Sequence, residues 1–288
     1  MFTNFSTPLT FRKPADDHAS QLLWEGEESM SVKPLIVIGK DRVCHVCQLG
    51  SRLDERVIGA LVIYLGLEHD VTVHRDTGTQ TGRIVAVEPY ARHRIVSGRQ
   101  HVCTILVEPE SVTDTSLNAL RSELNHPATG AEVFGDLLDF IHDAGRNPAT
   151  MEKTLRGLSF DRLIFEGELE KRPVDQRISQ ITELLDRETD GLIGADYCGR
   201  QISLTASRFR RLFRETTGVQ FRNYRMWRRA RSYLRLVKEQ ISLTQTALEL
   251  GYPDSTHFSH SIRHTYGLPP RQMKTHMEPS IFFLMDAV

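Results

Sequence analysis

The stretch from about residue 193 to residue 274 constrains the fold most, because it carries one helical pattern twice. In the first copy, Phe209, Leu212 and Phe213 stand at positions i, i+3 and i+4, which predicts a helix with one apolar face. A helix that buries aromatic rings on one side and presents guanidinium groups on the other fits between a small core and a polyanion. The opposite face of this helix carries Ser207, Arg208, Arg210, Arg211 and Arg214.

The second copy begins after the break Gly251-Tyr252-Pro253, where Asp254 is expected to cap the new helix. Phe258, Ile262 and Tyr266 then recur every four residues and predict its buried face. Short hydroxyl groups make few strong hydrogen bonds, so we expect its outer face to position a nucleic acid more than to select bases. The outward residues are Ser255, Thr256, Ser259, His260 and Arg263.

Residues 221–238 join the two copies with an uninterrupted helical pattern that contains no Gly or Pro. At 1.5 Å per residue this helix spans ~27 Å, which brings two recognition helices near the ~34 Å repeat of successive major grooves. Arg210 and Arg211 suit bidentate contacts with guanine, and Ser207 suits a base edge or a phosphate. The residues expected to hold the phosphate backbone are Arg208, Arg214, Arg225, Arg228, Arg229 and Arg263.

The formal net charge of -1 conceals two oppositely charged regions. Residues 191–276 contain 15 lysine and arginine residues and 5 acidic ones, whereas the rest of the chain contains 21 basic and 32 acidic residues. Residues 200–238 are densest, with twelve basic residues and the single acid Glu215. Solvated helix faces normally mix both signs, so this segregation favours nucleic-acid contact by the basic region alone.

Two runs of residues follow one family signature in type and spacing. In the first copy they are Ser207-Arg208-Phe209, Arg211-Leu212-Phe213 and Thr217-Gly218. In the second copy they are Ala247, Gly251-Tyr252, His257-Phe258-Ser259, Ile262 and Tyr266-Gly267-Leu268-Pro269-Pro270. Through these runs residues 174–276 resemble the AraC/XylS family of transcription regulators.

The resemblance implies double-stranded promoter DNA as the partner, with base contacts from the outward residues of the second copy. It also implies a homodimer, and RNA polymerase as a further partner if the protein is an activator. Two positions depart from the family pattern: Ser203 stands where a turn glycine is usual, and Gly199 where alanine is usual. A serine side chain can support a turn through its own hydrogen bond, so we expect the fold of the first unit to persist.

Between residues 34 and 109, short runs rich in Val and Ile alternate with turn residues, which predicts a closed or nearly closed β-barrel or sandwich. The runs are residues 35–38, 43–46, 59–65, 71–73, 83–87, 93–96 and 102–107. The segments Glu88-Pro89-Tyr90-Ala91-Arg92-His93-Arg94 and Val107-Glu108-Pro109 resemble the end of the cupin-like sensing domains of many AraC/XylS regulators. That resemblance implies a pocket for a small-molecule effector, with Tyr90, Arg92 and His93 as candidate ligand-binding residues.

The expected fold class is α+β: an N-terminal cupin-like β-barrel or sandwich followed by helices, and a C-terminal all-α domain with two helix-turn-helix units. Helical spacing returns at residues 112–124, 131–142 and 159–169, and these helices pair subunits or merely cap the barrel. The apolar tail around residues 281–285 is expected to dock on one of the chain's own domains, with a partner protein as the alternative. The expected divisions are an arm at 1–33, the barrel at 34–109, a helical dimerisation or linker region at 110–169, the DNA-binding domain at 174–276 and a tail at 277–288.

A metal site is the main competing interpretation, because Cys44 and Cys47 form a C-x-x-C pair near Cys103 and His101. Residues three apart on a strand point to opposite faces, so we expect half-buried thiols rather than a zinc or redox site. The chain also lacks the His-x-His and following Glu of enzymatic cupins. We therefore predict no metal, no other cofactor and no catalytic residue.

The leading hypothesis is a sequence-specific DNA-binding transcription regulator whose N-terminal domain controls activity through a ligand or dimerisation. One alternative is a regulator controlled by a protein partner, and another is a metal-dependent cupin enzyme fused to a DNA-binding domain. No apolar run approaches the ~18 residues of a membrane span, and no secretory signal is apparent, so we expect a cytoplasmic protein without membrane contact.

Overall fold

The computed structural model describes residues 32–49, 53–98, 100–155, 158–165, 167–187, 193–277 and 280–285. A two-sheet β region with covering helices is followed by a helical C-terminal region. The predicted α+β fold, with its N-terminal sandwich and C-terminal helix-turn-helix units, is confirmed. All but the last residues of the expected arm at 1–33 lie outside the described residues.

The β region is a sandwich of a six-stranded and a four-stranded sheet. The larger sheet has the order β10-β1-β2-β9-β4-β7 and the smaller one the order β3-β8-β5-β6. The strands are β1 Leu35–Ile38, β2 Arg42–Gln48, β3 Arg56–Val57, β4 Leu61–Gly66, β5 Val71–Arg75, β6 Gly78–Gly82, β7 Ile84–Val87, β8 Arg92–Val96, β9 His101–Val107 and β10 Ile281–Leu284.

Both faces of the larger sheet are buried, so its strands are apolar on both sides rather than alternating. Leu35 and Val37 of β1 pack beneath helices, whereas Ile36 and Ile38 point into the sandwich. The covering helices are α1 Asp114–Leu124, α2 Gly135–Arg146, α3 Pro148–Leu155 and α4 Phe160–Phe165, with short 3-10 turns at Pro109–Ser111 and Ala131–Phe134. The apolar periodicity of α1 and α2 was readable in the sequence, but α3 was not predicted.

The C-terminal region consists of seven helices within the described residues: α5 Gln176–Arg187, α6 Ala195–Gln201, α7 Ala206–Thr217, α8 Phe221–Leu236, α9 Leu243–Glu249, α10 Ser255–Tyr266 and α11 Pro270–Met277. Helices α6–α7 and α9–α10 are the two helix-turn-helix units, and α8 joins them. At 16 residues, α8 spans ~24 Å, slightly less than predicted. Glycines in the left-handed conformation, Gly218 at φ 74° and Gly267 at φ 72°, end α7 and α10.

The apolar tail completes the N-terminal sheet. Strand β10 pairs in parallel with β1, from Leu35 with Ile281 to Ile38 with Leu284. Phe283 is 3% exposed and its ring meets that of Phe140 edge-on, with centroids 5.9 Å apart. Of the three destinations open from the sequence, the structure selects the N-terminal domain.

Several strand boundaries differ from those predicted. The run at 59–65 begins as a strand only at Leu61. A Cβ on the preceding Gly59 would lie 2.5 Å from Cγ of Trp227. The backbone there must approach the indole of α8, which explains the glycine. Strand β3 has only two residues and β6 consists of Gly, Thr and Gln, so neither carried an apolar signal.

The first helix-turn-helix turn shows what the two family departures do. Ser203 adopts a left-handed conformation at φ 56°, where glycine carries no steric cost. A Cβ on Gly199 would lie 2.6 Å from the carbonyl oxygen of Leu204. The turn therefore closes tightly against Gly199 and places its strain on Ser203.

Candidate nucleic-acid interface

Helix α7 presents its basic face to solvent as the sequence predicted. Phe209 and Phe213 are fully buried in a cluster with Phe221 and Tyr224, with ring centroids about 5 Å apart. The hydroxyl of Thr205 accepts a hydrogen bond from the backbone N–H of Arg208 and caps the helix. This core fixes the rotation of α7, and the residues exposed on its outer face are Ser207, Arg208, Arg210, Arg211 and Arg214.

A basic groove runs between α7 and α8. Its volume is about 970 Å³, and six arginines and one acid, Glu215, contribute to its walls. The arginines are Arg210, Arg211, Arg214, Arg222, Arg225 and Arg229. Sequence reasoning missed Arg222, although its place one residue into the predicted strut was a readable signal.

The arginines of α7 differ in how firmly the protein holds them. Arg211 donates from Nε to Glu215 at 2.8 Å, but both side chains are more than half exposed, and such a surface pair yields readily to a stronger anion. Within the described part of the chain, the Arg210 side chain has no hydrogen bond or ion pair. Arg210 is therefore available to an anion, and so are Arg214 and Arg222, for which the described residues likewise show no side-chain hydrogen bond or ion pair.

Helix α10 is capped by Asp254, whose carboxylate accepts from the backbone N–H groups of Thr256 and His257 at 2.8 Å. Phe258 and Ile262 are fully buried, and Tyr266 nearly so, which confirms the predicted helical face. Thr256, His260 and Arg263 are exposed, while Ser255 and Ser259 are half-buried.

Arg263 of α10 already has a protein partner in the N-terminal domain. Its Nε and Nη2 lie 2.7 and 2.6 Å from the Oδ2 of Asp54, and the backbone N–H of Asp54 donates to the carbonyl of Gly267 at 3.0 Å. The segment before β3 is thus fastened to the end of this recognition helix.

The three phosphate candidates of α8 face different surroundings. Arg225 and Arg229 line the basic groove and lie over the rings of Phe221 and Tyr252 at 5.8 and 5.7 Å. Arg228 instead donates from Nη1 to Glu108 at 2.9 Å and also pairs with Asp186, with only 21% of its side chain exposed. The structure therefore does not bring Arg228 to the open face on which the phosphate contact was predicted.

Glu108 is a buried hub between the two domains. It is 1% exposed and receives Nε1 of Trp227 at 3.3 Å, while Nε of Arg231 lies 2.5 Å from its Oε1. Burial by itself raises the pKa of this carboxyl, but Arg231 and Arg228 reverse that effect and hold the pKa below its ordinary value. An ionised Glu108 thus ties helix α8 to the edge of the sandwich.

Of the three predicted ligand residues, Arg92 and His93 line one cavity, and Tyr90 lies elsewhere. Arg92 is exposed and pairs with Glu55 at 3.0 Å, whereas its neighbour His93 points into the sandwich and is 1% exposed. Tyr90 adopts φ 63° beside the DNA-binding domain, and its buried hydroxyl has no hydrogen-bond partner. Side chains alternate along β8, so Arg92 and His93 point to opposite faces, yet both line the same cavity. Ligand binding by Tyr90, Arg92 and His93 stays a prediction.

Cys44 and Cys47 lie on opposite faces of strand β2, as their spacing predicted. The Sγ atoms of Cys44 and Cys103 lie 3.5 Å apart under the helices, whereas Cys47 faces the sandwich. In the described ranges, no group of three His, Cys, Asp or Glu residues is placed to hold a metal ion. No helix in the same ranges is long and apolar enough to cross a membrane.

Two capped helix-turn-helix units on one strut, with a groove of arginines beside the first recognition helix, define a DNA-binding domain of the helix-turn-helix class. Residues 198–276 match the family described as a helix-turn-helix domain. The similarity to that family is confined to this helix-turn-helix region of the chain.

Comparison with known proteins places the similarity in this region. The invasion protein InvF of Salmonella typhi and of Salmonella typhimurium is 33% identical over 95 residues, which is 31% of this chain and 42% of InvF. The matched segment spans less than half the length of these curated relatives.

The fold as a whole is similar to that of ToxT from Vibrio cholerae. The structure of wild-type ToxT with a bound unsaturated fatty acid has a TM-score of 0.50 and 14% identity, covering 82% of this chain and 96% of ToxT. A second ToxT structure, bound to (E)-4-(8-methylnaphthalen-1-yl)but-3-enoic acid, has the same TM-score and identity and covers 83% and 100%. At this identity the likeness concerns the fold.

Proposed function

We propose that this protein is a sequence-specific transcription regulator that reads promoter DNA with α7 and α10. The basic groove carries the proposal: six arginines and one carboxylate line it beside an exposed recognition helix. Arg210 and Arg211 contact guanine edges, and Ser207 contacts a base edge or phosphate. Arg208, Arg214, Arg225 and Arg229 hold the backbone, while Ser255, Thr256, Ser259, His260 and Arg263 act in the second half-site.

The proposed mechanism divides affinity from specificity. Exposed arginines release counterions from DNA and supply binding on any sequence, whereas a bidentate arginine discriminates guanine from other bases. Arg228 joins the backbone contacts only if its pairs with Glu108 and Asp186 open. We further propose that the N-terminal domain controls DNA binding through a small-molecule effector, through pairing of residues 110–169 in a homodimer, or through both. If the protein is an activator, RNA polymerase is its further partner.

The first experiment is selection of bound sequences from random duplex DNA by the full-length protein near physiological salt. We expect a motif with two blocks about one helical turn apart. Replacement of Arg210 by alanine should then cost about 1 to 3 kcal/mol at the selected site and relax base preference in one block. An equal loss on all sequences would assign Arg210 to a phosphate, and absence of any motif would reject sequence-specific reading.

A further inference from the structure

Arg56 of β3 is a buried cation whose hydrogen-bonding edge is unoccupied. The residue is 5% exposed, and its Nε and Nη2 have no hydrogen-bond partner. Its Nη1 lies 3.4 Å from the hydroxyl oxygen of Tyr64. No carboxylate in the described residues forms an ion pair with Arg56. A buried charge without a counter-charge is strongly unfavourable, so this arrangement calls for an anion.

Arg42 is a buried arginine of the same domain that does have a carboxylate partner. It is equally buried at 5% exposure, and its Nε and Nη2 donate to the two carboxylate oxygens of Asp161 at 2.7 and 3.1 Å. The edge of the guanidinium that binds Asp161 is the edge left open in Arg56. A carboxylate is therefore the group whose shape matches the open site.

The surroundings of Arg56 are two facing rows of polar side chains inside the sandwich. Strand register places Arg56 beside His93, and His93 beside Arg75, on the smaller sheet. On the larger sheet the same register aligns His45, Thr104 and Tyr64 across three strands. Nδ1 of His45, Oγ1 of Thr104 and Nε of Arg75 are also buried without partners. These groups supply further donors for an anion.

One hydrogen-bond chain fixes the protonation of the neighbouring ring. Nδ1 of His93 lies 2.9 Å from the carbonyl of Ala91 and must donate to it, so Nε2 accepts from the Tyr64 hydroxyl at 2.8 Å. Burial, with Arg56 nearby, lowers the pKa of His45 to about 4, and burial likewise lowers that of His93 to about 4. Both rings are neutral at neutral pH and do not add a second charge.

The acids near these rows form no ion pair with Arg56 in the described residues, and Oε2 of Glu88 is itself buried without a hydrogen-bond partner. Glu88 acts electrostatically on His93, and its carboxylate lies 4.0 Å from Nη1 of Arg121. A cavity of about 310 Å³ opens at this end of the sandwich, with His93 and Arg75 among its walls and Asp54 and Glu55 among the other residues that line it. The cavity thus extends to His93, the register partner of Arg56, and to Arg75 on the next strand.

We propose that Arg56, assisted by His45 and Thr104, binds the carboxylate of a small organic acid inside the N-terminal domain. This deepens the proposed regulatory function, because Asp54, two residues before Arg56, holds Arg263 and the end of α10. A ligand seated on Arg56 acts on the short segment that fastens the second recognition helix to the sandwich.

Thermal melting and titration calorimetry of the full chain without DNA test the site. The probes are formate, acetate, propionate and benzoate at millimolar concentration, with propionamide and benzamide as uncharged controls. We expect carboxylates to raise the melting temperature and amides to leave it unchanged. Arg56→Met should abolish the carboxylate shift, whereas Arg162→Gln, exposed on helix α4 outside the sandwich, should retain it.

Stability without ligand provides a second and independent readout. Because Arg56 lacks a counter-charge, Arg56→Met should have a higher melting temperature than the parent. Arg42→Met leaves the buried carboxylate of Asp161 without its ion-pair partner, so its melting temperature should be lower. The proposal is overturned if no carboxylate raises the melting temperature of the parent, or if the amides raise it equally. It is also overturned if Arg56→Met keeps the carboxylate-induced rise, or if Arg56→Met lowers the melting temperature without ligand as Arg42→Met does. Inorganic phosphate acting in place of the carboxylates overturns the assignment of ligand class. Since no DNA is present, failure of DNA binding in a separate assay leaves these outcomes unaffected.

Discussion

At the scale of single residues, Ser203 has the backbone conformation least suited to its side chain in the first helix-turn-helix turn. A non-glycine residue at φ 56° is strained, and glycine would relieve that strain at some cost in unfolded-state entropy. We predict that Ser203→Gly raises the free energy of unfolding by about 0.5 to 1 kcal/mol. Urea unfolding of the full chain measures this.

Gly199→Ala is the contrasting substitution in the same turn. Its new Cβ would lie 2.6 Å from the Leu204 carbonyl oxygen, a backbone atom that cannot move without opening the turn. This variant should be less stable than the parent. If Ser203→Gly were the destabilising change instead, the left-handed turn would not be the source of strain.

Individual residues also mark the limit of what the sequence reveals. The spacing of Phe209, Phe213 and Phe258 predicted their burial because a helical period repeats over several turns. Arg56 could not be found this way, since β3 has only two residues and no period to assign an inward phase. Its missing partner is a property of packing between sheets that lie far apart in sequence.

At the scale of elements, the second recognition helix depends on one aromatic anchor. Phe258 is fully buried, with its ring centroid 5.1 Å from that of Tyr233 and 5.4 Å from that of Tyr252. We predict that Phe258→Ala destabilises this unit by about 3 to 5 kcal/mol, whereas His260→Ala on the exposed face changes stability little. Circular dichroism melting compares the two variants, and equal melting would show that α10 does not depend on this anchor.

Strand β10 makes the end of the described chain part of the N-terminal core. Phe283 fills space beneath α2, whereas the adjacent Leu284 is 63% exposed. We predict that Phe283→Ala lowers the free energy of unfolding by about 3 kcal/mol and Leu284→Ala by less than about 0.5 kcal/mol.

The measurement is denaturant unfolding followed by hydrogen exchange of the β1 amides. Faster exchange confined to Phe283→Ala would locate the loss in the N-terminal sheet. Similar effects of both substitutions would mean that β10 does not use its inward face for stability.

Elements were predictable where their pattern was long. Helices α5, α7, α8 and α10 and most sandwich strands follow from period and caps, but the destination of β10 did not. An apolar run of five residues can pair with any open strand edge, and nothing local selects β1. Long-range pairing is therefore the part of the fold that the sequence left open.

At the scale of the whole molecule, the two domains are joined through buried and exposed ion pairs of different strength. Glu108, inside the boundary, is 1% exposed and bound by Arg228 and Arg231, whereas the pair of Asp54 with Arg263 is more than half exposed on both sides. The exposed pair contributes little to stability but occupies a side chain that we assign to DNA. We therefore expect docking of the domains to compete with DNA for Arg263.

Substitution of Asp54 tests this competition, because Glu55 provides a matched control. Asp54 and Glu55 are adjacent, similarly exposed at 54% and 57%, and paired with Arg263 and Arg92 respectively. We predict that Asp54→Asn binds its selected DNA site about 3- to 10-fold more tightly than the parent, since Arg263 becomes free to hold a phosphate. The slope of log affinity against log salt should steepen by about one unit, while Glu55→Gln, which removes the same charge, should leave that slope unchanged. Fluorescence anisotropy across a salt series measures both quantities. Equal effects of the two substitutions would mean that removal of a negative charge, rather than release of Arg263, accounts for the change.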